Sequence, residues 1–539
     1  MFDFKGMINA LLRRQAEEEV HDLKSATVWI QELPDGDIQQ AQAEIVKTVV
    51  ALNANSKILV KERIRTILYL DDKAQCLQDA LCRDFLQDGA FGRHYLPTIL
   101  SFWSEMANAY KTCLRSYAQK PARGVADDLP KVTARGLRYY AMLAKWSHIR
   151  YLPVDGRIWR NLHRFYLFAE TEGFAETQIR LYPGHPTTTS CMQQYLQPLM
   201  LQLASPESLL VPQIELVDAW LDNWSEHLVV ERQIRPHRQL FSVNLDEPKP
   251  GRKLRRNMVD AKYRYWGTDS LIEKMEQTLD QIRNGAVPAK LGLGEAFRPQ
   301  TGIDLLETVA SRWSREGSSI TRKHERTSRQ KSVQVIQGLQ DIIEKLSHPE
   351  KVKRHKRITS GSGHTGFEII GPTEPTTPDS TPELFDAPPL EWQIENESQY
   401  GIGAKFMSEH NIALAIGDLV GLRLEEQSRF VIGLVRRIQK NLDGQVYVGV
   451  ETINQTPIVV KLAPVDTPNV AFAGLYLPEA DNGVLPRCLL IPTREHHAEQ
   501  DIQLSAQGKS FTIKLKPSME SNADYHRVKF MVTAKQGST

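Results

Sequence analysis

Asn396, Ser398 and Gly401 stand in the pattern Asn-x-Ser-x-x-Gly, inside Trp392 to Phe406. Asn and Ser carry short groups that both donate and accept hydrogen bonds. Gly401 and the nearby Gly403 let the backbone turn tightly and let a flat ligand come close to it. Types and spacing together describe a polar ligand surface at a strand boundary. They point to binding rather than catalysis. Arg322-Lys-His-Glu-Arg326, followed by Arg329 and Lys331, is a second stretch of note, rich in charge, and Lys351 to Arg357 is strongly basic.

Other chemistries find little support. No Gly-x-x-x-x-Gly-Lys-Ser/Thr loop occurs, and no Gly-x-Ser-x-Gly nucleophile elbow. Gly292-Leu-Gly294 is too short for a dinucleotide fingerprint. His496 and His497 are adjacent and so lack the i, i+4 spacing of a helical metal site. The five cysteines, Cys76, Cys82, Cys113, Cys191 and Cys488, include no Cys-x-x-Cys pair. That argues against zinc or a disulfide framework and for small apolar core residues in a reducing compartment. The formal charge of +2 gives no whole-chain field toward nucleic acid or membrane. The cluster Gly251-Arg-Lys-Leu-Arg-Arg256 reads as a solvated loop, without the aromatic interleaving that base stacking needs.

The elements that must position these residues change character along the chain. Residues 1–315 are helical in pattern, with Ile45, Val49 and Leu52, then Ile64, Ile67 and Leu68, at helical spacing. Phe241 to Val243 reads as a short strand. The region could hold more than one domain. Val333 and Val335 alternate like a strand, and Gln340 to Leu346 reads as a short helix. Residues 359–389 hold six prolines among Ser, Gly and Thr, and a disordered insertion is expected there. After Trp392 the period becomes two: Phe430, Ile432 and Leu434, then Val446, Val448 and Val450, with Asp443-Gly444 as the hairpin turn. A small antiparallel barrel over 316–465 follows, split by the insertion. Residues 466–539 read as a β-rich extension of it or a separate β-domain. The fold class is therefore multidomain α + β. No apolar run approaches the roughly 20 residues of a membrane helix, and no secretory signal opens the sequence, so a cytoplasmic protein with no membrane span is expected.

With these residues in view, 318–465 resembles the PilZ family of bacterial cyclic di-GMP receptors. The family's two-part signature, Arg-x-x-x-Arg and Asp/Asn-x-Ser-x-x-Gly, is matched by Arg322 and Arg326 and by Asn396, Ser398 and Gly401. Arg160/Arg164 and Arg252/Arg256 share the first spacing, but only Arg322/Arg326 stands just before a stretch that could open a barrel; Lys353 and Arg357 repeat it with lysine first, so the arginine end stays open between the two segments. Gly417-Asp-Leu-Val-Gly-Leu, Ile432-Gly-Leu-Val-Arg-Arg and the Val-Gly-Val ending at Val450 are also similar. The resemblance implies a PilZ-like barrel that binds cyclic di-GMP without cofactor, metal or catalysis. The arginines would reach phosphate and guanine, and Asn396 and Ser398 the base edge or ribose. It also implies a protein partner, here through the helical region, in motility, pilus or surface-attachment control. The alternatives are a nucleic-acid- or ribosome-associated protein using the clusters at 252–256 and 351–357, and a scaffold whose barrel has lost its ligand.

Overall fold

The computed structural model describes residues 20–34, 36–87, 92–184, 187–256, 258–294, 296–318, 327–347, 390–407, 414–424, 430–506 and 508–536. The chain divides into two compact units, Met1–Thr321 and Arg322–Thr539. The α + β organisation expected from the sequence is present: a helical first part, then two closed antiparallel barrels of six strands each.

The first unit is built on α1 (Leu23–Trp29), α2 (Ile38–Ala54), α3 (Val60–Gln87), α4 (Leu96–Gln119), α5 (Leu129–Ile149), α6 (Gly156–Thr171), α7 (Cys191–Leu203), α8 (Val211–Trp224), α9 (Asp269–Arg283) and α10 (Pro299–Trp313). Their apolar stripes pack into one core. Ile45, Val49 and Leu52 of α2 and Ile64, Ile67 and Leu70 of α3 lie in it, as the spacing requires. Short polar caps start several helices: Asp37 accepts from the Gln40 amide at 2.9 Å, and Ser190 from the Gln193 amide at 3.2 Å. α7 continues through Pro198, and Pro212 stands in the first turn of α8, where a missing amide costs little. One polar cluster sits inside. The Asp71 carboxylate, fully buried, accepts from the Tyr110 and Tyr139 hydroxyls and from Arg135 Nη1 at 3.2 Å. Arg135 also donates to the Leu181 carbonyl at 2.9 and 2.7 Å. Burial of such a pair is tolerated because the carboxylate and the guanidinium both find further hydrogen-bond partners. A small sheet, ordered β2 (Arg252–Lys253), β1 (Phe241–Asn244), β3 (Tyr263–Trp266), completes the unit. The basic cluster at 252–256 therefore begins on an exposed edge strand.

The second unit opens with β4 (Thr327–Gln337) and α11 (Leu339–Ser347). β5 (Leu390–Ser398), β6 (Gly401–Met407), β7 (Leu419–Leu424), β8 (Phe430–Lys440) and β9 (Gln445–Asn454) close the first barrel in the order β4-β5-β6-β9-β8-β7. The strand starting near Val333 thus pairs with β5 across the long intervening segment, and the 443–444 turn joins β8 to β9 with Gly444 at φ +80°. Ile394, Ile402, Phe406, Val446, Val448 and Val450 face inward and are buried. Trp392 stacks on Phe406 there, centroids 5.2 Å apart.

β10 (Ile458–Pro464), β11 (Phe472–Leu477), β12 (Cys488–Pro492), β13 (Asp501–Ala506), β14 (Lys509–Ser521) and β15 (Tyr525–Gln536) form the second barrel, ordered β10-β11-β12-β15-β14-β13. The β-rich residues after 466 are thus part of a closed barrel. Its interior holds Val460, Leu462, Leu489, Ile491, Ile502, Leu504, Ile513, Leu515 and Val528. A separate cluster joins the barrels: Leu339, Ile342 and Ile343 of α11 meet Leu419, Ile432 and Leu434 of the first barrel and Leu475, Leu477, Cys488, Leu490 and Tyr525 of the second. Polar bonds ring this joint. The Tyr525 hydroxyl donates to the Gly417 carbonyl at 3.1 Å, and the Leu339 amide to Asp524 at 2.6 Å.

Candidate ligand-binding face of the first barrel

Asn396 reaches the outside of the barrel because β5 carries a bulge. Gln393 pairs with Lys405 and Ile394 with Ala404, but the next pair is Asn396 with Gly403, which leaves Glu395 as the extra residue. Trp392 and Ile394 point inward. Strict alternation would therefore send Asn396 inward as well. The bulge reverses the phase, so that Asn396 and then Ser398 lie with the outward residues of β6. Glu395 is held at the surface by Lys405, Nζ to Oε1 at 3.0 Å.

The outer face now reads as rows across strands. Asn396 pairs with Gly403, Gly403 with Gly449 on β9, and Gly449 with Arg437 on β8. Neither glycine has a side chain to place on this face. A Cβ on Gly403 would stand 2.7 Å from Asn396 Oδ1, so the amide lies directly across that glycine. A Cβ on Gly449 would stand 3.2 Å from the Cβ of Arg437. Two bare strand positions thus separate Asn396 from Arg437. At normal strand spacing the row spans roughly 14 Å. The next row, Gln393–Lys405–Tyr447–Gln439, borders it on one side.

On the other side the β5–β6 turn closes the face. Ser398 pairs with Gly401, and the Ser398 hydroxyl donates to the Gly401 carbonyl at 3.3 Å. A Cβ on Gly401 would stand 3.2 Å from that hydroxyl oxygen. The three residues picked out by spacing are therefore on one half-buried corner, with Ser328 of β4 paired to Asn396 and Thr327 to Glu397.

Arg322 and Arg326 lie outside the described residues, as do the basic run 351–357 and the insertion 359–389. What is described is the strand that Arg326 precedes: Thr327 opens β4 beside the signature end of β5. Sequence reading did not single out Gly449 or Arg437 as site residues. Both stand in segments already noted as similar to the PilZ family, but a place in the site follows only when the register sets them in line with Asn396.

Arg436 and Arg437 turn to different tasks. The pairing of β8 with β9 shifts between Val435 and Arg437. Arg436 meets Glu451 at 2.7 Å and binds both carboxylate oxygens of Glu520 on the second barrel. Burial disfavours its charge, but hydrogen bonds to Glu520 and Glu451 outweigh that and hold the guanidinium above its usual pKa. Arg437 is exposed beside Gly449, with Gln439 Oε1 at 3.3 Å. Such a face offers hydrogen-bonding groups around a bare backbone floor. It suits a flat, anionic ligand. Among the described residues no group of three or more His, Cys, Asp or Glu is placed to hold a metal ion. No described helix is long and apolar enough to cross a membrane.

Comparison with known proteins adds a finding for the other unit. Residues 24–236, which run from α1 to shortly before β1, match the family model described as the N-terminal domain of FimW, a cyclic-di-GMP receptor. The chain is similar to that domain over the span whose role the sequence patterns left open. No match to a curated protein was found.

Proposed function

We propose that the chain is a cyclic di-GMP receptor whose first barrel is PilZ-like and binds the ligand on its outer face. Asn396, Ser398 and Gly401 supply one end of the site, and Arg322 and Arg326 the other. The observation that carries this reading is the bulged β5. It sets Asn396 and Ser398 on the outer face over glycines, beside the strand that Arg326 directly precedes. Similarity of residues 24–236 to a domain of a cyclic-di-GMP receptor supports the same ligand from a different part of the chain.

In this reading the protein binds and does not catalyse. Cyclic di-GMP offers two phosphates and two guanines. Arginine can bind phosphate or the O6/N7 edge of guanine bidentately. Engagement of the two arginines by the ligand would be the signal, and the helical unit would pass it to a protein partner in the cytoplasm. Control of motility, pili or attachment is the proposed output.

Titration calorimetry of the full chain tests the proposal. Cyclic di-GMP should bind where GTP does not. Arg322→Ala and Arg326→Ala should each weaken binding by about 10- to 100-fold, the range for losing a charged hydrogen bond. No heat with cyclic di-GMP would overturn the receptor reading. Unchanged affinity in both variants would move the arginine end to 351–357.

A further inference from the structure

We propose that Arg437 is the far wall of the ligand site, a cationic contact that the sequence signature does not contain. The inference rests on the cyclic di-GMP reading and extends it to a residue on another strand. Three observations carry it.

First, Arg437 shares a row with Asn396, and only Gly403 and Gly449 stand between them. The Asn396 amide lies over Gly403, so the bare part of the floor is at Gly449, beside Arg437. A flat base laid on that floor meets an amide at one edge and a guanidinium at the other. Second, the bond to the second barrel is made by the neighbouring Arg436, which meets Glu451 and Glu520. The bulge between Val435 and Arg437 is what separates the two directions. Third, the chemistry matches the ligand class. A planar guanidinium can stack on a purine or bind a phosphate or guanine edge through two parallel N–H groups.

Calorimetry on the full chain decides the matter, with Asn396→Ala as the reference variant. Arg437→Ala is expected to weaken cyclic di-GMP binding by about 10- to 100-fold, since one charged hydrogen-bonding partner is lost. Gly449→Val places a branched side chain on the floor and should weaken binding by at least about tenfold, while circular dichroism stays that of the wild type. Arg437 is exposed, so its truncation should not unfold the barrel. If the wild type binds and Asn396→Ala weakens it, but Arg437→Ala and Gly449→Val bind normally, the far wall is wrong and the receptor reading stands. If the wild type itself binds no cyclic di-GMP, the receptor reading falls and takes this inference with it.

Discussion

The two barrels are wired alike and used differently. In each, the first three strands lie side by side and the last three return in the order six, five, four. In each, the second and third strands end on a matching pair: Ser398 with Gly401 in the first, Leu477 with Cys488 in the second. Yet Ser398 and Gly401 sit half-buried on a polar corner, whereas Leu477 and Cys488 are fully buried in the cluster against α11 and the first barrel. The turns differ to match. Two residues, Gln399 and Tyr400, join the strands of the first barrel, and residues 478–487 join those of the second. One face bares its backbone and the other covers it with leucine. The lesson is that this barrel topology does not make a site. The side chains on the outside of its second and third strands do.

The sharpest way to break that contrast is to mutate the matching positions. Leu477→Ala should destabilise the barrel unit by about 2–5 kcal/mol, the usual cost of truncating a buried leucine. Urea denaturation followed by Trp392 fluorescence would measure it. Cyclic di-GMP affinity of the folded protein should stay unchanged. Ser398→Ala should do the reverse. Its stability should stay within about 0.5 kcal/mol, as for surface changes generally, and affinity should fall about tenfold through the loss of one hydrogen bond. A Ser398→Ala variant that unfolds early would mean that the corner is a structural turn after all. Weakened ligand binding in Leu477→Ala would mean that the second barrel takes part in the site.

Much of this contrast was legible in the sequence, though not its cause. Val446, Val448 and Val450 announce a strand with one buried face, and Asp443-Gly444 announces its turn, because period and turn chemistry are local. The β-rich character of residues 466–539 was readable for the same reason. The bulge at Glu395 was not. Alternation counted from Trp392 and Ile394 puts Asn396 inside, and only the register with β6 shows the reversal. Gly449 and Arg437 were hidden likewise: their meaning lies in pairing across strands, which no linear spacing records. The matched topology of the barrels was hidden most deeply. Ser398 and Leu477 occupy equivalent places with opposite chemistry, so composition offers no trace of the likeness.

The smallest expected effect tests the contrast through acid. The described residues of the first barrel contain no histidine, whereas the second stacks His526 of β15 on His496 with ring centroids 4.5 Å apart. His526 Nδ1 is buried and has no hydrogen-bond partner among the described residues. Burial, and then repulsion from His496, push the His526 imidazole below its ordinary pKa. The unfolded chain therefore takes up this proton first. Its contribution to stability is complete above about pH 6.5 and declines as the pH falls toward the lower folded value. Acidification from pH 7.5 to 5.5 should lower the denaturation midpoint by less than Leu477→Ala does, and His526→Gln should flatten that slope. Cyclic di-GMP affinity should hold steady between pH 7.5 and 5.5, since the described part of the proposed site contains no histidine. A steep pH dependence of binding would place a titrating group in the site. The nearest candidate in sequence is His324, between Arg322 and Arg326, and a steep slope abolished by His324→Gln would locate the arginine end of the site at 322–326.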